Sequence, residues 1–360
     1  MALIPHPLLK MADRSSCSAA VSGRNISAVK CAQSAHFTTK TLPGTAKQLL
    51  PLFVLILVLG NLVSAAGWYG LGEQMSPVPI QQTEYWVYLP SISHPEPDCP
   101  PEDQVAFTST ELQRPEVGIV CRDGSGRRLI TNTPGFQSSS PSWSPDRTRL
   151  VFTSDRDGTS RMYLYDLSCQ CEVGKIPMDL EAYEPIWSPA KTDDQRIAFV
   201  SQDGIYAVNL DGSNLTRITE PGEGAWNGTW SPDGTHIAYT VWDGARRAIR
   251  IREVGGTGYT QLLTPGSDYG PAWSPDGTQI VFASAQGELI DLYLIQVDGS
   301  GLIQLTNLPE HETQPSWSPD GSQIVFVGGF QENVNLFIMY KDGSGLQSLI
   351  PQGHDPAWGN

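Results

Sequence analysis

Cations are scarce in this 360-residue sequence: 23 Lys and Arg stand against 38 Asp and Glu, a net charge of −15. The first 66 residues hold six of the cations (Lys10, Arg14, Arg24, Lys30, Lys40, Lys47) and a single acid, Asp13, which leaves 17 basic against 37 acidic residues downstream. A surface of that sign repels phosphate backbones and anionic lipid. Nucleic acid is therefore excluded as a partner of the downstream region, and membrane contact is confined to the N-terminal segment. Histidine is also sparse. There are six, with no His-x-x-x-His or His-Glu-x-x-His pair, and no Gly-x-Ser-x-Gly elbow occurs anywhere. Those absences exclude the common zinc-hydrolase and α/β-hydrolase machineries. Asp155-Arg156-Asp157-Gly158 opens like a calcium loop but lacks the distal Glu, so it reads as a turn. No metal, cofactor or catalytic residue is expected. No stretch after residue 66 carries a helical period, which excludes helical and α/β folds.

Long apolar runs are reduced to one, residues 49–63, preceded by basic residues and followed by Ser64-Ala65-Ala66-Gly67. Basic flank, apolar block and small residues are the three parts of a secretory signal. The uninterrupted block is shorter than the roughly 20 residues that span a bilayer. Residues 1–66 are thus expected to be a leader, either a cleaved signal peptide or a retained signal anchor. A start nearer residue 40 would give it ordinary length. Either reading places the rest of the chain outside the cytoplasm, in the periplasm or at the cell surface. Cysteine is limited to six, and two of these, Cys17 and Cys31, precede the apolar run. The remaining four, in an oxidising compartment, predict two disulfides, with three connectivities open; Cys99–Cys121 and Cys169–Cys171 are the expected pairs. Residues 67–103 read as a Pro/Ser-rich linker, within which Tyr85-Trp86-Val87-Tyr88-Leu89 is aromatic enough to form an extended strap against the downstream region.

The sequence is rich in glycine and proline, with 35 Gly and 28 Pro, and it carries a repeat. Six tryptophans, Trp143, Trp187, Trp230, Trp273, Trp317 and Trp358, are spaced 44, 43, 43, 44 and 41 residues apart. Five open Trp-Ser-Pro, and three of these, Trp230, Trp273 and Trp317, complete Trp-Ser-Pro-Asp-Gly, in which Ser, Pro and Gly occupy the places a type I turn prefers. Taking residues 271–306 as the unit, a short strand ending at Trp273 meets this turn. A second strand runs over Gln279–Ser284, a third over Leu289–Val297, then Asp298-Gly299 and a fourth strand over Leu302–Thr306. Four such antiparallel strands make a propeller blade. The unit at 141–178 departs from the pattern, with Arg147 in place of the turn glycine. Residues 104–131 match strands two to four with no Trp strand before them, and Pro356-Ala357-Trp358 is a Trp strand with nothing after it. Joined, they complete a sixth blade. The expectation is an all-β, six-bladed β-propeller over residues 104–360, closed by pairing the C-terminal Trp strand with the N-terminal blade. Each Trp is expected to wedge between blades, which is worth roughly 4–6 kcal/mol gross at about 25 cal/mol per Å².

These repeats resemble the TolB-like propellers, a group related to WD-repeat proteins. The shared residues run from Trp273 to Thr306 and from Trp317 to Leu349: Trp-Ser-Pro-Asp-Gly, an apolar strand, a third strand, Asp-Gly-Ser and a closing Leu. The resemblance implies a six-bladed, exported propeller that binds other envelope proteins. It does not extend to an N-terminal α/β domain, for which the linker leaves no room.

The two faces of such a ring differ. One carries the uniform Ser-Pro-Asp-Gly and Asp-Gly-Ser turns. The other carries blade-to-blade and strand-two-to-three loops that vary from repeat to repeat, and variable loops are where repeat arrays bind. The candidate binding residues there are Tyr183, Glu184, Trp226, Trp242, Asp268, Tyr269, His311, Glu312, Phe330 and His354. The paired positions Tyr183-Glu184, Trp226-Asn227, Asp268-Tyr269, His311-Glu312 and His354-Asp355 are expected near the axis. Exposed aromatics beside acids suit a protein or cell-envelope ligand bound by a monomeric, non-catalytic scaffold. The alternative is a propeller enzyme, a glycan lyase or hydrolase, using His311, His354, Glu184 and Asp268. It requires those four to converge.

Overall fold

The computed structural model describes residues 35–37, 85–87, 99–112, 114–189, 195–202, 204–330 and 333–358, with backbone alone for 35–37, 85–87, 330 and 333. Two compact units are present, Met1–Ser93 and His94–Asn360. In the first, Ala35–Phe37 pairs antiparallel with Tyr85–Val87, the first three residues of the expected strap. The apolar run 49–63 and most of the linker lie outside the described residues. Among the described residues no helix is long and apolar enough to cross a membrane.

The second unit is a six-bladed propeller of four-stranded antiparallel sheets. Blade 1 takes its inner strand, Gly353–Ala357, from the C-terminus and its other three, Gln104–Ser109, Glu116–Cys121 and Arg128–Leu129, from the start of the unit. Blades 2 to 6 are each contiguous in sequence, with inner strands Ser138–Trp143, Tyr183–Trp187, Trp226–Trp230, Ser267–Trp273 and His311–Trp317. Closure pairs Gly353 with Ser109, His354 with Thr108 and Ala357 with Ala106. The C-terminal strand thus covers the edge that Gln104–Ser109 would otherwise leave open.

The repeat motif explains itself locally. In Trp273-Ser274-Pro275-Asp276-Gly277, the Gly277 amide donates to the Ser274 carbonyl at 2.9 Å, and Gly277 adopts φ +76°. Asp276 accepts the Ser274 hydroxyl (2.6 Å), the Thr278 amide (3.0 Å) and the Thr278 hydroxyl (2.8 Å). These donors hold its carboxyl below the usual carboxylate range. Asp146, Asp233 and Asp320 repeat the arrangement. The motif's acid is therefore a turn anchor.

All six motif tryptophans are buried. Trp230 packs with Ile205 and Ala207 of the preceding blade, and Trp358 packs with Leu336 of blade 6 and Phe107 of blade 1. The indole N–H groups of Trp143, Trp230 and Trp317 donate across the blade boundary to the carbonyls of Ala357, Ile186 and Ala272 at 3.0, 3.3 and 3.1 Å. Tryptophan supplies both wedge and stitch, which a purely apolar side chain could not.

Four of the six fourth strands are shorter than the five-residue pattern suggests, while Cys171–Lys175 and Gln347–Pro351 keep it. Arg128–Leu129, Thr216–Arg217, Thr260–Gln261 and Ile303–Gln304 pair over two residues each. They form the outer rim, where little burial rewards a longer ladder, and short edges resist edge-to-edge association. Disulfides join Cys99 to Cys121 and Cys169 to Cys171.

Between the second and third strands an aromatic pair recurs in register: Phe152 with Tyr163, Phe199 with Tyr206, Phe282 with Tyr293 and Phe326 with Phe337. Blade 1 has Phe107 opposite Gly118 instead. A Cβ at 118 would lie 2.7 Å from Phe107 Cζ and 2.9 Å from the Arg128 carbonyl oxygen. Gly118→Ala is accordingly expected to destabilise by about 1–2 kcal/mol through overpacking. A shifted urea midpoint at unchanged slope checks it, and an unshifted midpoint contradicts it.

Candidate functional site

The loop face is organised by one backbone irregularity repeated six times. Each inner strand loses register with its neighbour three to four residues before the Trp. The residue at the bulge has positive φ in every blade: Ser140 (53°), Glu184 (49°), Asn227 (49°), Gly270 (52°), Gln314 (52°) and Asp355 (44°). Proline comes next in five of the six, as Pro141, Pro185, Pro271, Pro315 and Pro356. Proline cannot donate to a ladder, so within strands it sits at edges and bulges, and here it sits at both. These six residues ring an axial cavity of about 240 Å³.

The ring is polar and lopsided. Asp355 accepts the Thr108 hydroxyl (3.0 Å), the Ser140 hydroxyl (3.4 Å) and the Gln314 amide (2.5 Å). Glu184 accepts the Asn227 backbone and side-chain amides at 2.7 and 2.9 Å. Burial raises the Glu184 carboxyl above its ordinary value, with the Asp355 charge acting in the same direction. The two acids flank Ser140, and Gly270 contributes no side chain between Asn227 and Gln314. The axial mouth thus presents two carboxylates on one side and a gap on the other.

Of the paired positions expected at the axis, only the bulge members Glu184, Asn227 and Asp355 line it. The bulge turns the preceding residue outward. Tyr183 is 46% exposed and its hydroxyl donates to Glu181 at 3.0 Å. Trp226, Tyr269 and His354 are half-buried. His311 is also half-buried, and its Nδ1 accepts the Ile290 amide at 3.1 Å. Phe330 ends the second strand of blade 6.

Two of the expected binding residues are buried. Asp268 and Glu312 are 1% and 0% exposed, each five residues before its Trp, on the strand's inward-packed side. Asp268 accepts the hydroxyls of Thr264 and of Ser284, the latter at 2.7 Å. Glu312 accepts the Thr306 hydroxyl at 3.0 Å. Thr264 and Thr306 each follow the outer strand of the preceding blade, so both carboxyls tie their blade to the one before it. His311, His354, Glu184 and Asp268 stand on the inner strands of four different blades, 6, 1, 3 and 5. Among the described residues there is no cluster of three or more His, Cys, Asp or Glu that could hold a metal.

An aromatic array does assemble, on blades 4 and 5. The Arg247 guanidinium lies 4.5 Å from the Tyr269 ring centre and 5.7 Å from that of Trp226. Arg247 pairs in register with Trp242, which is 58% exposed. No ion pair neutralises Arg247 among the described residues. Arg247 had no signal in the repeat pattern. The bulge ring had one, since a proline two residues before five of the six Trp marks an interrupted strand.

Known proteins share this architecture. A family model described as the TolB beta propeller domain matches residues 80–268 and 194–358. The chain belongs to the TolB β-propeller family. A Tol-Pal system protein TolB from Rhizorhabdus wittichii is 36% identical over 75 residues, 20% of this chain and 16% of that protein. An uncharacterized peptidase, YuxL of Bacillus subtilis, is 28% identical over 141 residues, 35% of this chain and 21% of that protein. The chain therefore spans about a fifth or less of these relatives' lengths. Among solved structures, TolB from Acinetobacter baumannii superposes with a TM-score of 0.61 at 21% identity, covering 71% of this chain and 66% of that one. A TolB-like protein from Agrobacterium tumefaciens gives 0.57 at 21% identity, with 70% and 90% covered. At that identity the structural likeness is one of fold.

Proposed function

We propose that this TolB-family propeller is an extracytoplasmic, non-catalytic scaffold that binds a protein partner through its variable loop face. The observation that carries the reading is the Trp226, Arg247, Tyr269 and Trp242 array. Trp, Tyr and Arg are the side chains that dominate protein–protein binding energy, and an unpaired guanidinium held between two rings is ordered before the partner arrives. The Glu184 and Asp355 carboxylates at the axial mouth add a preference for a positively charged group on the partner. Two disulfides suit an oxidising compartment, and the basic, apolar and small-residue succession up to Gly67 supplies the route there.

The test is recovery of a partner from envelope extract by the wild type, Arg247→Ala, Trp242→Ala and, on the uniform-turn face, Asp298→Ala. Loss of each array residue is expected to weaken binding about tenfold or more. Asp298→Ala should match the wild type. Equal recovery by all four proteins would count against the loop face.

A further inference from the structure

A second site lies on the outer wall of the ring, between blades 1 and 2. The two-residue outer strand Arg128–Leu129 leaves a cleft of about 650 Å³ against the outer hairpin of blade 2. That volume is within the range of small-ligand pockets. Leu112, Leu129 and Ile130 form an apolar wall, and Tyr165 faces it from blade 2. Two guanidiniums line the same cleft. Arg156 is neutralised through Nη1 by Glu172 at 2.5 Å, stacks 4.2 Å from the Tyr163 ring centre, and keeps a buried Nη2 with no acceptor. Arg128 has no ion pair or hydrogen bond to its side chain among the described residues, and its Nε is buried without an acceptor. In a chain of net charge −15 a half-buried cation with no ion-pair partner among the described residues is conspicuous. Buried donors without acceptors are uncommon in folded proteins.

We infer that this cleft binds a carboxylate carried on an apolar body, with Arg128 as its principal anchor and Arg156 Nη2 as a second donor. Charge balance selects the class. Glu172 already cancels Arg156, so one uncompensated positive charge remains, matched by a monoanion; a phosphate dianion would face Glu172 with charge to spare. Guanidinium and carboxylate offer each other parallel hydrogen bonds. The leucine and isoleucine wall then selects an aliphatic or aromatic body over a bare small acid. A free fatty or aromatic acid and the C-terminal residue of a peptide share this chemistry.

Isothermal titration of the full chain separates these sources. The probes are octanoate, octanamide, and an acetylated Ala-Gly-Phe-Leu tetrapeptide with either a free or an amidated C-terminus. A carboxylate probe is expected to bind at least about tenfold more tightly than its amide counterpart, and Arg128→Gln should abolish that preference. Leu112 is 61% exposed, so Leu112→Asp should fold normally and weaken the same probe by about tenfold through like-charge repulsion at the mouth. Binding of octanoate alone assigns the cleft to free acids, and binding of the peptide acid alone assigns it to chain termini. Equal affinity for acid and amide, unchanged binding by Arg128→Gln or Leu112→Asp, or no heat from either acid at millimolar concentration overturns the inference.

Discussion

Arg147→Gly is expected to destabilise the propeller by about 3 kcal/mol and to lower its melting temperature by roughly 6–12 °C, although it restores the glycine that the equivalent turns carry at Gly234, Gly277 and Gly321. By backbone criteria alone the substitution should help. Arg147 sits at φ +57°, where a Cβ costs about 1–2 kcal/mol. The side chain outweighs that cost because of the groups it holds. Its Nε donates to the Pro101 carbonyl at 2.7 Å, Nη2 to the Gln104 carbonyl at 2.6 Å, and Nη1 to the Trp358 carbonyl. The guanidinium also stacks 4.7 Å from the Trp143 ring centre. One side chain from blade 2 therefore grips the first described turns of the unit and its closing strand together, at the one blade assembled from both ends of the chain. Burial lowers the guanidinium to about 10, so it remains charged at neutral pH. Hydrogen bonds from a charged donor are worth about 1.5–3 kcal/mol each, and water recovers part of the loss in the variant. Arg147→Lys should restore less than half, since an ammonium cannot reach three divergent carbonyls as a planar fork does. Thermal melts of the three proteins decide it. A glycine variant melting with the wild type would mean that the closure depends on the strand ladder and Trp358 alone.

That clasp also marks how far the sequence is legible. The period of the tryptophans, the turn chemistry of Ser-Pro-Asp-Gly and the orphaned half-blades at either end were enough to read blade number and closure. Each rests on local rules that hold whatever the neighbours are. The departure of Arg147 from the pattern was visible as well, but its purpose was not, because its three acceptors lie 43 to 211 residues away. The candidate site divides the same way. Variable loops could be assigned to one face by strand parity. Which residue of each loop meets the axis depends on a bulge that shifts the register, and a shift reverses inside and outside for everything before it. Hence Glu184 and Asp355 reach the axis as expected. Asp268 and Glu312 turn inward, while Ser140, Gly270 and Gln314 take axial places that no acid or aromatic had marked.

Glu312, turned inward by that register, should make the propeller's stability fall as pH rises. Burial pushes its carboxyl up to about 8; the Thr306 hydroxyl opposes this, and the Asp291 carboxylate and its hydrogen bond with Glu312 add to the rise. Asp291 is itself raised by burial. The folded protein thus keeps a proton on Glu312 up to about pH 8, whereas the unfolded chain gives it up near the ordinary glutamate value of 4.5. Between those values the folded state binds more protons, so the contribution is fully present below about pH 4.5 and is lost as pH approaches 8. At 1.36 kcal/mol per pH unit across that interval the loss is on the order of 4–5 kcal/mol. Glu312→Gln keeps the neutral form's shape and can still donate to Asp291. It should come within about 1 kcal/mol of the wild type near pH 5 and exceed it by about 4–5 kcal/mol at pH 8. Urea denaturation of both proteins across that interval measures the difference directly. Parallel pH profiles would show that Glu312 is ionised within the fold, and that the side chains around it, Thr306 foremost, compensate a buried negative charge.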